Sequence, residues 1–247
     1  MQDATALAVA EIRRFAALVE GADMTTPVPS CPGWTLADLI DHIGTVNRWA
    51  TYMVEHLSPV RATREDMDFD PPSDPSSLPA WFAAGAEPLE RVFGAADPDA
   101  EMWVWGLDKH VRFWPRRMVH ETGVHRADAE IALGRAPAID VAIAADGIDE
   151  LLDNIACASY FAPRVDELRG DGQVLRLDAT DSADQWRITL QPDRYEWRRA
   201  GGDGDVTVHA TASDLLLALY GRVAPGRDVV VDGDADLLTF WLERSAL

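Results

Sequence analysis

Basic residues are scarce in this chain: 22 lysines and arginines stand against 42 acidic residues, for a formal net charge of −20, and Lys109 is the only lysine. A surface so acidic repels phosphate backbones and anionic lipid, so neither nucleic acid nor a membrane surface is an expected partner. Cysteine is nearly absent. Cys31 and Cys157 are too few and too far apart for a disulfide framework or a thiolate zinc site. No run approaches the roughly 18 apolar residues of a membrane span, and no basic region followed by an apolar stretch opens the chain. A reducing cytoplasm is the expected location. The single lysine and the abundance of alanine fit a GC-rich, actinobacterial-type genome, which is a matter of codon usage and carries no chemistry.

What is present is a chain of 247 residues, 47% hydrophobic and 26% charged, an ordinary globular composition long enough for two modest domains. From Asp3 to Glu20, apolar residues recur at helical spacing and Gly21 follows as a stop. The proline-rich run from Thr26 to Gly33 reads as a fixed loop, after which Thr35 caps a long helix extending to about Ser58. A surface loop over Arg61–Pro79 leads to a third helix over about Ala80–Phe93, a fourth over about Arg112–Leu133, and a fifth over about Asp140–Ser159. Four or five such helices predict an up-and-down bundle. Beyond Pro163 the period changes to two: strands are expected near Val174–Asp178, Gln185–Leu190, Tyr195–Arg198, Asp205–Ala210 and Val229–Val231. Ser213 is expected to cap a short helix and Asp234 a final one. The prediction is a multi-domain chain, an all-α four-helix bundle over residues 1–163 and a small α+β domain over 164–247.

Glu121 and His125 are four residues apart on the fourth helix, about 40° apart around its axis, and so share a face. The text His120-Glu-Thr-Gly-Val-His125 invites comparison with a zinc-protease HExxH motif, but its histidines are five apart, about 140° around the axis, and cannot both enter one site. A carboxylate and an imidazole at this spacing also describe a plain surface ion pair. His42, within an apolar helix, is the third candidate; a hydrogen-bonded core histidine is its bland reading. Two histidines and a carboxylate suit zinc or a related divalent ion with one coordination position open. Trp103, Trp105, Phe113 and Trp114 fit a pocket wall or core packing equally well, and Asp41 is expected to point elsewhere and be solvated. Arg116, Arg117 and Arg126 could meet an anionic substrate, but surface pairing is expected for most of them. Cys31 reads as a buried loop cysteine rather than a reactive thiol.

The segment Cys31-Pro-Gly-Trp-Thr-Leu-Ala-Asp-Leu-Ile-Asp-His-Ile-Gly44, together with Glu121-Thr-Gly-Val-His125, resembles the mycothiol-dependent maleylpyruvate isomerase family, whose N-terminal domain is a DinB-like four-helix bundle. The run Ile139–Glu150 and the segment Leu217-Ala-Leu-Tyr-Gly-Arg222 continue the likeness into a sterol-carrier-like C-terminal domain. The resemblance implies that His42, Glu121 and His125 are metal ligands, usually for zinc. It also implies that the metal binds the thiolate of mycothiol, a sugar-linked cysteine thiol, which attacks a small electrophile in isomerisation or S-transfer. Arg222 falls where the family carries an arginine near its domain interface, and a catalytic role toward a substrate carboxylate or developing enolate is expected; the alternative is an arginine satisfying carbonyls at a helix end. The expected partners are a low-molecular-weight thiol and the electrophile, on a monomer or homodimer. A metal-dependent hydrolase and a non-catalytic ligand-binding protein are the alternatives.

Overall fold

The computed structural model describes residues 3–67, 69–224, 226 and 228–246; position 68 of the expected surface loop lies outside the described residues. The chain divides into two compact units, Met1–Pro137 and Ala138–Leu247. The expected boundary at 163/164 therefore falls later than the observed division, because the helix expected to end the bundle packs in the second unit against a helix of that unit. Among the described residues no helix is long and apolar enough to cross a membrane.

The first unit is helical. Helix α1 (Ala4–Val19) starts at Asp3, whose carboxylate accepts the Ala6 amide. The loop that follows is pinned by an isolated bridge between Pro27 and Thr35 and by the Val28 amide donating to the Trp34 carbonyl at 2.9 Å. Thr35 then caps α2 (Leu36–Glu55) in a reciprocal capping box with Asp38, satisfying two amides that the helix start would otherwise leave without partners. The single helix expected over Ala80–Phe93 is two, α3 (Leu78–Ala84) and α4 (Ala86–Ala95). The reason is Pro88, which has no amide hydrogen to donate to the Ala84 carbonyl and whose ring crowds it, so the chain breaks at Gly85.

Helix α5 (Phe113–Ala132) is buried nearly all round and packs on both α1 and α2. That burial explains its weak amphipathic pattern: polar side chains sit inside and are paired there. Thr122 and Asn47 lie within hydrogen-bond distance across α5 and α2, at 3.4 Å. Arg126 donates to Glu11 of α1 at 2.7 Å and also to Glu130, while Arg14 reaches the other Glu11 oxygen at 2.8 Å. Arg117 and Arg126 are thus buried ion-pair partners, contrary to the surface pairing expected for most of these arginines. Trp49, Trp103 and Trp114 form one aromatic cluster, with Trp114 fully enclosed, which is core packing.

The second unit contains α6 (Val141–Asn154), a five-stranded sheet, α7 (Ala212–Leu219) and α8 (Ala235–Arg244). The strands β1 (Val174–Ala179), β2 (Gln185–Leu190), β3 (Tyr195–Arg199), β4 (Val206–Ala210) and β5 (Val230–Gly233) lie in the order β3-β2-β1-β4-β5. The β1–β4 pair is parallel and the others are antiparallel. Leu175, Leu177, Trp186, Ile188, Val206 and Val208 alternate onto the covered face and form its core. Thr211, not Ser213, caps α7 through the Asp214 amide; Ser213 instead accepts the Ile139 amide at 3.0 Å. Asp234 caps α8 as expected.

Candidate metal centre

On α5 the residues Arg117, Glu121, His125 and Asp128 follow one another at intervals of four, four and three, which keeps them on one face of the helix. His42 meets that face from α2. One donor atom from each of His42, Glu121 and His125 lies within 4.8 Å of the others. Glu121 Oε1 is 3.6 Å from His42 Nε2 and 3.6 Å from His125 Nε2. Two donors held about 2.1 Å from a tetrahedral centre are about 3.4 Å apart, so the observed spacing suits a zinc-sized ion. The residues fit a divalent cation by geometry and by donor type.

The surroundings hold these donors in orientation. Asp128 is fully buried, and its Oδ2 lies 2.8 Å from His125 Nδ1, which leaves Nε2 turned toward Glu121. Arg117 donates to the far oxygen of Glu121 at 3.0 Å, so Oε1 is the oxygen that faces the histidines. A carboxylate behind a ligating histidine fixes its tautomer and raises its basicity. Cys31 also donates to Asp128 Oδ2, at 3.5 Å, and Cys31, His125 and Asp128 make a second close group on the other side of the imidazole. Trp34 covers the pair of imidazoles, its ring centroid 5.0 Å from that of His42 and 6.4 Å from that of His125.

Electrostatics follow from this packing. Burial opposes charge on Glu121, but hydrogen bonds from His125 and His42 and the charge of Arg117 outweigh it and hold the carboxyl well below its usual range. Burial likewise opposes the cationic form of His125, yet Asp128, Cys31 and Glu121 overcome it and raise the imidazole well above its ordinary value. Exposure is graded across the three: 12% for the His125 side chain, 25% for Glu121 and 37% for His42. The open side is therefore at His42.

His120 is buried on α5 and does not join the cluster, as its helical angle requires. Asp41, expected to be solvated away from the site, lines the same cleft as His42. Sequence reasoning assigned no role to Asp128 or Trp34; the interval of three between His125 and Asp128 is the signal that finds the former. In the second unit, Gly221 takes φ +72° and the Arg222 amide donates to the Leu217 carbonyl at 2.8 Å, closing α7. The Arg222 guanidinium donates to the Tyr220 carbonyl at 2.6 Å, which is the helix-end contact foreseen as the alternative to catalysis.

The model of the mycothiol maleylpyruvate isomerase N-terminal domain matches residues 5–130, and that of the MDMPI C-terminal domain matches residues 142–240. A search of the curated proteins finds no match. Among solved structures, the crystal structure of a mycothiol-dependent maleylpyruvate isomerase shares the fold with a TM-score of 0.58 at 15% identity, covering 93% of this chain and 90% of that one. The crystal structure of a histidine-to-alanine mutant of a mycothiol-dependent maleylpyruvate isomerase gives 0.59 at 16% identity with the same coverage. Matched in both of its domains and in their order, the chain belongs to the mycothiol maleylpyruvate isomerase family.

Proposed function

We propose that the protein is a metal-dependent, mycothiol-dependent enzyme, an isomerase or a thiol S-transferase, whose metal ligands are His42, Glu121 and His125. The observation that carries this reading is the convergence of the three donor atoms within 4.8 Å, with His125 fixed from behind by a buried carboxylate. A divalent ion there, zinc first among the candidates, would lower the pKa of a thiol reaching its open position and so supply a nucleophile at neutral pH.

The chain's own residues have separate tasks in this scheme. His42 and His125 offer neutral imidazole nitrogens. Glu121 offers one oxygen and gives the other to Arg117, which holds the carboxylate charged. Asp128 keeps His125 in the tautomer that presents Nε2. Trp34 shields the imidazoles from water on one side. For isomerisation the thiol sulfur would add to a cis double bond, rotation about the resulting single bond would follow, and elimination would return the thiol with the trans product. Arg222 is proposed to meet a carboxylate of the substrate, a role that requires its contact with the Tyr220 carbonyl to be exchanged for one with the ligand. The DinB-like character of the helical unit belongs to the same reading.

The test is metal analysis of protein purified without chelator, beside His42→Ala. Stoichiometric zinc, cobalt, nickel or iron in the native protein, lost in the variant, is expected. Protein without metal, or an unaffected variant, overturns the assignment. Cobalt-substituted protein titrated with mycothiol should then change its visible spectrum; an unchanged spectrum rules out thiol coordination.

A further inference from the structure

Helix α2 carries Asp38, Asp41, His42 and Thr45 along one stripe, since positions three, four and seven apart return to the same face. With Trp34 ahead of the stripe and Arg64 from the following loop, they line a cleft of about 540 Å³. That size lies within the range of small-ligand sites, about 300–1,000 Å³. The cleft meets the candidate metal centre at His42, the most exposed of the three ligands.

The lining restricts what can sit there. Oδ2 of Asp38 is occupied by the Thr35 amide and hydroxyl at 2.8 and 2.7 Å, and Oδ1 of Asp41 by the Thr45 hydroxyl at 3.2 Å. Among the described residues the other oxygen of each carboxylate accepts from no protein group. Arg64 is itself paired with Asp70 at 2.9 Å, so the cleft carries net negative charge and disfavours an anion. Ionised carboxylates accept only, so the occupant must bring O–H or N–H donors. Trp34 adds an aromatic surface suited to the C–H face of a ring. Acceptors beside an aromatic plane describe a neutral, hydroxyl-rich ring.

We propose that this cleft is the subsite for the hydroxylated sugar portion of the thiol cosubstrate, with Asp41 as the residue that selects it. The inference rests on the thiol-dependent reading above and extends it. It separates the two ligands of the reaction by charge, because an anionic electrophile is excluded from the surface that takes the thiol's sugars.

Calorimetric titration of the metal-loaded full chain tests it with two probes, mycothiol and N-acetylcysteine amide, an uncharged thiol that keeps the cysteinyl group and lacks the sugars. Native protein is expected to bind mycothiol at least about tenfold more tightly. Asp41→Ala should weaken mycothiol about tenfold, the worth of a hydrogen bond to a charged group, and leave N-acetylcysteine amide within about twofold. Thr45→Val, which removes the hydroxyl held by Asp41 with little change of volume, should shift mycothiol in the same direction by less, and it decides the matter should Asp41→Ala disturb the helix. Equal binding of the two thiols by native protein overturns this inference alone, as do variants that alter both thiols by one factor or neither. Failure of both thiols to bind overturns the thiol-dependent reading, and the inference with it.

Discussion

His125 Nδ1 and Asp128 Oδ2 are 2.8 Å apart on successive turns of one helix, and Asp128 is wholly shielded from water. The pair is built into α5, so the imidazole reaches its orientation as the helix forms. Asp128→Ala should lower metal affinity about 10- to 100-fold, the usual cost of removing such a partner, while Asp128→Asn should lose less because an acceptor oxygen remains. Competition against a metal-binding dye reads both, and equal affinity in all three proteins would refute the orienting role.

Metal uptake should also depend on pH in a defined direction. Asp128, Cys31 and Glu121 hold a proton on His125 above the ordinary histidine range, and a cation must displace that proton. Affinity is therefore expected to rise with pH, with close to one proton released per ion near neutrality. Calorimetry in buffers of different ionisation enthalpy counts the proton. In metal-free protein the signs are opposite for the two proposed ligands. The raised His125 adds stability that is complete below about 6.5 and lost as pH climbs through its folded value. The depressed Glu121 adds stability present above about 4.3 and lost as pH falls through its folded value. Denaturant midpoints measured across pH on chelator-treated protein should show both arms.

Arg126→Met is expected to destabilise the chain by about 3–5 kcal/mol, because among the described residues it leaves buried Glu11 with Arg14 alone as its cationic partner. Urea unfolding of the first unit's tryptophan signal measures this. A loss under about 1 kcal/mol would mean that the pair contributes no more than an exposed one.

Gly44→Ala should cost about 1–3 kcal/mol through overpacking. An added Cβ would lie 2.1 Å from the Trp81 ring, which rests directly on the backbone of α2. Displacing Trp81 also removes the surface on which the Arg48 guanidinium sits, 3.9 Å from the ring centroid. Near-ultraviolet circular dichroism together with the denaturation midpoint distinguishes a local tryptophan shift from general loosening.

The elements and the Glu121–His125 pair were legible in the sequence because each rests on local periodicity, whereas His42 joined them as a histidine within an apolar helix and through the family resemblance. Apolar spacing marked α1 and α2, the change of period after Pro163 marked the sheet, and the four-residue step joined Glu121 to His125. Gly85 and the allegiance of α6 were not legible in the same way. Pro88 sits three residues beyond the break it causes, and α6 carries an apolar face that fits a bundle as well as it fits α7; only tertiary packing decides between them. Arg117 and Arg126 were misjudged for a related reason. Arg117 pairs with Glu121 on its own helix and Arg126 with Glu11 of α1, and only the packing of α5 against α1 and α2 buries them.

The capping box at Thr35 and Asp38 sets more than the beginning of a helix. Seven residues separate Thr35 from His42 (42 minus 35), about two turns, so the cap serves as the origin from which the azimuth of His42 is counted. The chain before Thr35 can lengthen or shorten without touching that count. Inserting or deleting one residue between the cap and His42 would swing the imidazole by about 100° and take it away from Glu121 and His125 while leaving the helix intact.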